Sequence, residues 1–381
     1  MELPKTFDEF NESKKEGFIK VKEYKENGGK LAGVLCTFCP EEVLLAAGFE
    51  TIGLCGTSND TVMDAERVLP KNLCPMVKST YGFAITDKCP YTYFSDIIVG
   101  ETTCDGKKKM YELLNEIKDT YVLHLPQGRG HVSEREAWYQ EVKLFKEMLE
   151  EKFQVEITED KLRDASKLTN QYKKAMLDMF HLQKAQPPMS KGVELMYASM
   201  QGTYNIDHQL RVENIQEKVK KIRDAYEQGE RPVSESAKRI LITGSPMGEA
   251  FEKIGPIIEE NGGVIVCYDN CAGESTMQRM IDIDAKDILR EISDSHLHAN
   301  CSVLTPNDDR LRATEKLIEE YHVDGVIEVV LQFCHTYNIE SVKVERTVKE
   351  KGIPYLKIET DYSKSDLGQI NTRINAFMEM I

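Results

Sequence analysis

The sequence has no long apolar run and no apolar segment at its start. No stretch approaches the ~20 consecutive apolar residues that a transmembrane helix needs. The first residues, MELPKTFDEFNESKKEG, are polar and acidic and lack the apolar core of a signal peptide. We therefore expect a cytoplasmic protein that does not bind membranes.

Several motifs of nucleotide sites and hydrolase sites are also missing. There is no GxxxxGK[ST] phosphate loop, so we do not expect the chain itself to hydrolyse ATP, and no GxGxxG follows a predicted strand. Neither GxSxG nor HExxH occurs. The net charge of −15 argues against nucleic-acid binding, which needs a basic face. The densest basic run, Lys107-Lys108-Lys109, is interpreted as the solvated first turn of a helix.

Strand patterns alternate with helical patterns in the first and last thirds of the chain. This alternation is typical of an α/β fold with parallel, doubly wound sheets, and the two thirds look like two versions of one architecture. The middle third has apolar residues at helical spacing. Strands are predicted at 30–35, 51–54, 96–99, 121–125, 239–243, 264–267, 323–331 and 354–358, and a helix at 107–117.

At 381 residues the chain exceeds the size at which one hydrophobic core usually stops growing. The changes in pattern predict three parts. These are an N-terminal α/β lobe over 1–133, a helical connector over 134–235 and a C-terminal α/β lobe over 236–381.

Ten cysteines are concentrated in the two predicted lobes. A reducing compartment makes a disulfide scaffold unexpected. Ligands bind at the carboxyl ends of parallel strands, and five thiols follow predicted strands by one to several residues, namely Cys36, Cys55, Cys104, Cys271 and Cys334. A buried structural thiol would more often lie within a strand, as predicted for Cys267.

Thiolates in such places suit zinc or an iron–sulfur cluster. Zinc sites are usually built from paired local motifs, and only Cys36-x-x-Cys39 has that form. The same pair is compatible with a redox dithiol, because a CxxC before a helix has a lowered thiol pKa. Core thiols without a ligand are a further alternative, and the residues alone leave all four open.

Four longer segments carry a family resemblance. They are LPKNLCPMVKSTYG (69–82), KCPYTYFSDIIVGETTCDGKKKMYELL (88–114), YVLHLPQG (121–128) and VVLQFCHTYNIES (329–341). From about Gly33 to the C-terminus, the chain resembles the 2-hydroxyacyl-CoA dehydratase and benzoyl-CoA reductase family of anaerobic iron–sulfur proteins. Within that family it is most similar to the double-cubane cluster proteins.

The resemblance implies two Rossmann-like or flavodoxin-like lobes with cluster thiolates between them. It implies a double-cubane cluster, [8Fe-9S], held by six cysteines, or a single [4Fe-4S] cubane held by three. Cys55 and Cys89 lie in matching segments and are weaker candidates, whereas Cys39 and Cys267 are expected to be core thiols or neighbours of the ligands. The resemblance assigns no catalytic residue, and its best six ligands are Cys36, Cys74, Cys104, Cys271, Cys301 and Cys334.

The function implied is electron transfer from a low-potential reductase to a small substrate. A separate ATP-hydrolysing iron–sulfur activator would supply the electrons, and we expect a homodimer. One alternative is the [4Fe-4S] subunit of a 2-hydroxyacyl-CoA dehydratase or aryl-CoA reductase. Two others are a non-enzymatic electron carrier and a metal-free two-lobed binding protein.

Overall fold

The computed structural model divides the chain into two compact units. It describes the backbone of residues 1–203 and 205–381, and the side chains of these residues outside 199–203. The N-terminal unit comprises Met1–Thr169 and Ile281–His298, and the C-terminal unit comprises Asn170–Met280 and Ala299–Ile381. The boundaries predicted at 133/134 and 235/236 stay a prediction.

Each unit contains a four-stranded parallel sheet. The predicted strands are all present, and their ends differ from the prediction by no more than two residues. In the N-terminal unit the strands are β1 (Lys30–Val34), β2 (Phe49–Gly53), β3 (Ile97–Glu101) and β4 (Thr120–Leu123). In the C-terminal unit they are β5 (Lys238–Gly244), β6 (Gly263–Asp269), β7 (Gly325–Leu331) and β8 (Tyr355–Thr360).

The two sheets have the same strand order. The order is β2-β1-β3-β4 in one unit and β6-β5-β7-β8 in the other. In both, the direction of strand addition reverses beside the first strand, between β1 and β3 or between β5 and β7. Because parallel crossovers are right-handed, this reversal sends the connections to opposite faces, which makes the sheets doubly wound. The predicted fold class is confirmed.

The central strands are short apolar runs that are buried along their whole length. β3 (IIVGE) and β7 (GVIEVVL) have every residue buried, as expected where helices cover both faces of a parallel sheet. Each run contains one carboxylate, Glu101 or Glu328, with no measurable exposure. Buried charges require compensating partners, so these two positions direct attention to their neighbours.

Helices connect the strands, and four of them occupy most of the span from 132 to 227. No helix in the described part of the chain is long and apolar enough to cross a membrane. The helices are α1 (Glu12–Glu26), α2 (Glu41–Ala46), α3 (Val62–Ala65), α4 (Pro75–Ile85), α5 (Pro90–Phe94), α6 (Asp105–Asn115), α7 (Val132–Phe153), α8 (Glu159–Phe180), α9 (Gly192–Thr203), α10 (His208–Glu227), α11 (Gly255–Glu260), α12 (Glu274–Met277), α13 (Ile288–Leu297), α14 (Asp308–Glu320), α15 (His335–Glu350) and α16 (Leu367–Met380). Short 3-10 helices lie at Phe7–Glu9, Asn59–Thr61, His181–Lys184 and Gly248–Lys253.

Candidate functional site

Five cysteines lie just beyond the carboxyl ends of strands. Cys36, Cys55 and Cys271 are two residues past β1, β2 and β6, and Cys104 and Cys334 are three residues past β3 and β7. In parallel sheets of this topology the carboxyl edge is where ligands bind. Each sheet therefore brings thiols to its ligand-binding edge.

Four cysteines stand at the N-caps of helices. Cys74, Cys89, Cys104 and Cys334 precede α4, α5, α6 and α15. The first N–H groups of a helix have no partner within the helix and form its positive end. An N-cap sulfur can accept hydrogen bonds from these groups, and the helix end favours its thiolate form.

Cys74 shows this arrangement in detail. Burial raises the pKa of its thiol, while hydrogen bonds from the backbone N–H groups of Met76 and Val77 lower it, and the net shift is upward. The nearby thiol of Cys104 also raises this pKa, and the ammonium of Lys107 lowers it. Cys74, Cys104 and Lys107 therefore lie close together in the N-terminal unit.

Lys107 departs from the interpretation of the basic run as a solvated turn. Lys108 and Lys109 are exposed and pair with Asp105 and Glu112. Lys107 instead turns inward, and its ammonium donates a hydrogen bond to the carbonyl of Leu35. The reason is helical geometry, because position 107 lies on the same face of α6 as its buried apolar residues at 110, 111 and 114.

The surroundings of Lys107 are acidic groups and thiols. Burial by itself would lower the pKa of Lys107, but its neighbours hold that pKa well above the ordinary value. These neighbours are Tyr111, Cys55, Cys36 and Glu101. We call Cys36, Cys55, Cys74, Cys104 and Lys107 the N-terminal cysteine site.

The loop after β1 is tied to this site at its backbone. The thiol of Cys55 lies 3.2 Å from the Leu35 carbonyl and donates to it, so this oxygen accepts from Cys55 and from Lys107. On the other side of Cys36, the Thr37 carbonyl lies 3.1 Å from Nδ1 of His296. Carbonyls on both sides of Cys36 are therefore fixed by side chains.

His296 is held by a buried carboxylate. Its Nε2 lies 2.7 Å from Oε2 of Glu42, and Oε1 of Glu42 accepts a 2.7 Å hydrogen bond from the Thr169 hydroxyl. Glu42 and His296 are both buried. A residue 254 positions away in sequence from Glu42 thus supports the Cys36 loop.

The segment GETTCDGKKKMYELL is accounted for by local contacts. A Cβ at Gly100 would lie 2.6 Å from the Tyr111 ring, so only glycine lets that ring pack against β3. The Thr102 hydroxyl accepts a 2.9 Å hydrogen bond from the N–H of Leu125. The Tyr111 hydroxyl is buried and has no hydrogen-bond partner in the described residues. It lies near Lys107, whose charge lowers the tyrosine pKa against the larger effect of burial.

The C-terminal unit gathers three thiols around a single phenol. Burial raises the pKa of Tyr337 well above its ordinary value, and the neighbouring thiols raise it further, with the charge of Arg310 acting against them. We call this phenol and its thiols the C-terminal cysteine site, consisting of Tyr337, Cys271, Cys301 and Cys334. Cys301 is buried, and Cys271 and Cys334 are half-buried.

A buried ionic network lies behind Tyr337. The guanidinium of Arg310 is 2.9 Å from Glu328, 2.5 Å from Glu340 and 3.2 Å from the Thr243 hydroxyl. The hydroxyl of Tyr355 donates a 2.5 Å hydrogen bond to the other oxygen of Glu328. Arg310 therefore satisfies the buried carboxylate of β7.

The remaining cysteines are placed differently. Cys39 and Cys267 are fully buried, and burial raises the pKa of each thiol well above its ordinary value. Cys267 belongs to the apolar core around β5 to β7, as expected. A thiol with a raised pKa at position 39 is the opposite of what a thioredoxin-like Cys36-x-x-Cys39 pair requires. Cys89 is half-buried.

The donor set fits an iron–sulfur cluster. The described residues contain no group of three His, Cys, Asp or Glu that could hold a single metal ion. Each site nevertheless collects several thiols on strand ends and helix N-caps, where N–H groups reach sulfur. Thiolate ligands with hydrogen bonds to sulfur are the usual environment of such clusters.

Sequence patterns miss the side chains that accompany the thiols. They do not single out Lys107, Tyr111, Arg310 or Tyr337, although the periodicity of α6 places Lys107 on its buried face. Arg310 and Tyr337 give no comparable signal, since a buried arginine between two carboxylates requires contacts among α14, β7 and α15.

Comparison with known proteins gives consistent similarities. The family model described as 2-hydroxyglutaryl-CoA dehydratase, D-component, matches residues 36–381. The Escherichia coli (strain K12) protein named "Putative dehydratase subunit YjiM" is 44% identical, over 100% of this chain and 99% of the relative. The (R)-phenyllactyl-CoA dehydratase beta subunit of Clostridium sporogenes is 27% identical over 95% and 94%. One of the benzoyl-CoA reductase subunits of Thauera aromatica is 21% identical over 96% and 94%.

Proposed function

The chain belongs to the 2-hydroxyacyl-CoA dehydratase and benzoyl-CoA reductase family of enzymes, and from this premise we propose that it is a low-potential iron–sulfur reductase of small substrates. The observation that carries the proposal is the grouping of thiols in each unit. In one unit they surround Lys107, and in the other they surround Tyr337.

The proposed ligands are three cysteines from each unit, and the cofactor is a double-cubane cluster. When bound, this group supplies one-electron chemistry at low potential. The ligand set is Cys36, Cys74, Cys104, Cys271, Cys301 and Cys334. Cys55 donates to the Leu35 carbonyl and supports the loop that carries Cys36.

The side chains around the thiols have separate roles in this proposal. Lys107 supplies a positive charge that favours thiolates, which are the metal-binding form. The N–H groups of Met76 and Val77 donate to the Cys74 sulfur. Arg310 keeps Tyr337 beside the three C-terminal thiols. The apolar strands beneath both sites keep water away from the sulfurs.

Electrons would come from a separate protein. The sequence has no phosphate loop, so the energy of ATP hydrolysis would enter through an ATP-hydrolysing iron–sulfur activator. We propose a homodimer that binds this activator transiently and acts on a small molecule, with no role for nucleic acid or membranes.

A second candidate is favoured by the names of the relatives. Several are named as subunits of CoA-thioester dehydratases. In this alternative the chain holds one [4Fe-4S] cubane through three cysteines and works with a different partner chain. It predicts about four iron atoms per chain rather than about eight, and a second chain that copurifies.

Matched cysteine pairs provide the test. The protein is purified without oxygen, its iron and sulfide are reconstituted, and both elements are measured for Cys36→Ala with Cys39→Ala and for Cys271→Ala with Cys267→Ala. Cys36→Ala and Cys271→Ala should each lose iron, because they remove a ligand. Cys39→Ala and Cys267→Ala should retain it, because these thiols lie in the core. Equal iron in all four variants would refute the ligand assignment.

A further inference from the structure

Lys107 has a buried charge that its neighbours in sequence do not share. Lys108 and Lys109 are exposed, and each is paired with an acidic residue of the same helix. The ammonium of Lys107 turns toward β1 and donates to the Leu35 carbonyl, next to Cys36. One basic run thus contains an inward-facing charge and two surface charges.

Burying this ammonium is costly unless nearby groups compensate it. The groups around it are Glu101, which has no measurable exposure, the phenol of Tyr111 and the thiols of Cys36 and Cys55. Thiols compensate a cation well only when they are thiolates or are bound to a metal. The environment of Lys107 is therefore suited to a site that carries negative charge.

The C-terminal cysteine site has a different residue at the corresponding place. Cys104 and Cys334 cap the helices that follow the equivalent strands β3 and β7, and the third residue after the cap is Lys107 in one unit and Tyr337 in the other. The cation beside Tyr337 is Arg310, which is already paired with two carboxylates of its own network. The two sites therefore differ in net charge.

We propose that Lys107 sets the electrostatic potential of the N-terminal cysteine site, so that electrons added to the proposed cluster are held preferentially at that site. A fixed positive charge stabilises the more negative, reduced state, and its effect is largest where water is excluded. The redox part of this inference rests on the proposed function. The positive potential at Cys36 and Cys55 does not depend on it, because it arises from the chain alone.

Alkylation of the metal-free protein tests the potential directly. Cys36 and Cys55 are half-buried, and each can be labelled by iodoacetate, which is anionic, or by iodoacetamide, which is neutral. Both reagents attack the same thiolate, so the ratio of their rates cancels the thiolate fraction and reports the local potential. Rates at each cysteine are measured by peptide mass spectrometry at one pH and low ionic strength.

Four variants separate charge from hydrogen bonding. Lys107→Met removes both the charge and the donor, Lys107→Gln keeps an N–H donor without charge, Lys107→Arg keeps both, and Lys108→Met is the matched surface control. The ratio of the iodoacetate rate to the iodoacetamide rate should fall at least about threefold in the Met and Gln variants of Lys107 and stay near the original value in the Arg variant and the control. Far-UV circular dichroism identifies any variant that fails to fold, and the Gln variant then carries the test.

The same variants are then reconstituted with iron and sulfide and titrated with a reductant. Lys107→Gln should have a lower midpoint potential than the original protein, and Lys107→Arg and Lys108→Met should not. Unchanged alkylation ratios in both neutral variants would overturn the inference, whatever the iron content. Lowered ratios in a protein that takes up no iron would support the charged site and refute the proposed function.

Discussion

The guanidinium of Arg310 lies 4.8 Å from the centre of the Tyr337 ring, and this contact joins a buried ionic network to the C-terminal cysteine site. Arg310 is 1% exposed and is held between Glu328 and Glu340. Tyr337 in turn lies among three thiols. The position of the phenol is therefore set by charges in α14, β7 and α15.

Replacing Arg310 should destabilise the protein strongly. Arg310→Leu leaves Glu328 buried without its cation, and removing one partner of a buried pair costs about 3–5 kcal/mol. The free energy of unfolding, from urea denaturation, should fall by that amount. Arg312→Leu is the control, because Arg312 is exposed and pairs with Asp309 at the surface. A loss as small as the control's would show that the network contributes little.

Gly100 should be intolerant of a side chain. A Cβ at this position would lie 2.6 Å from the Tyr111 ring, so Gly100→Ala must displace that ring or the strand. Overpacking of this kind costs about 1–3 kcal/mol. Gly53→Ala is a matched control at another strand end, since a Cβ there meets nothing within 4 Å. Urea denaturation of both variants measures the difference, and equal stability would refute the close contact.

His296 should be needed for the order of the Cys36 loop. His296→Leu removes both the partner of Glu42 and the contact with the Thr37 carbonyl. We expect faster hydrogen exchange in the peptide containing residues 36–39, together with a stability loss of about 2–4 kcal/mol for the buried carboxylate left behind. His298→Leu is the control, because His298 is exposed one half-turn along the chain. Unchanged exchange in the His296 variant would contradict this role.

Glu259 should make stability depend on pH. Burial raises the pKa of its carboxyl, although the backbone N–H groups of Val193 and Gly192 act against this. The folded protein therefore binds this proton more tightly than the unfolded chain does. Its stabilising contribution is present below the unfolded pKa near 4.5 and is lost as the pH rises through the folded pKa.

The corresponding test compares Glu259→Gln with the original protein by urea denaturation between pH 5 and pH 8. The free energy of unfolding of the variant, relative to the original, should increase with pH and then level off. Glu260→Gln, at an exposed neighbouring position, should show no such trend. A difference that is flat or falls with rising pH would mean that the pKa of Glu259 is not raised.

The fold was largely predictable because each strand is a short apolar run bounded by turn residues. The predicted strands differ from those observed only at their ends. The run 96–99 continues through Gly100 and Glu101, for example, because backbone pairing with β4 extends β3 to Glu101. The helix predicted at 107–117 begins earlier, at Asp105, because Cys104 is its N-cap. Local patterns do not contain these tertiary constraints.

The site was predictable in its thiols and less so in its charges. Strand ends can be read from hydrophobic patterns, so the placement of Cys36 or Cys334 follows from the sequence. The inward turn of Lys107 depends on which face of α6 is buried, and the position of His296 depends on a contact with Glu42 across 254 residues. Pairings at such separations leave no local pattern in a single sequence.

The central claim is that the cysteines of both units hold one linked pair of cubanes. The most direct measurement is the content of iron and acid-labile sulfide per chain in protein purified and reconstituted without oxygen, recorded with its absorption spectrum. We expect about eight iron atoms per chain, with the broad absorption of iron–sulfur clusters. About four iron atoms per chain, or a colourless protein that takes up none, would contradict the claim.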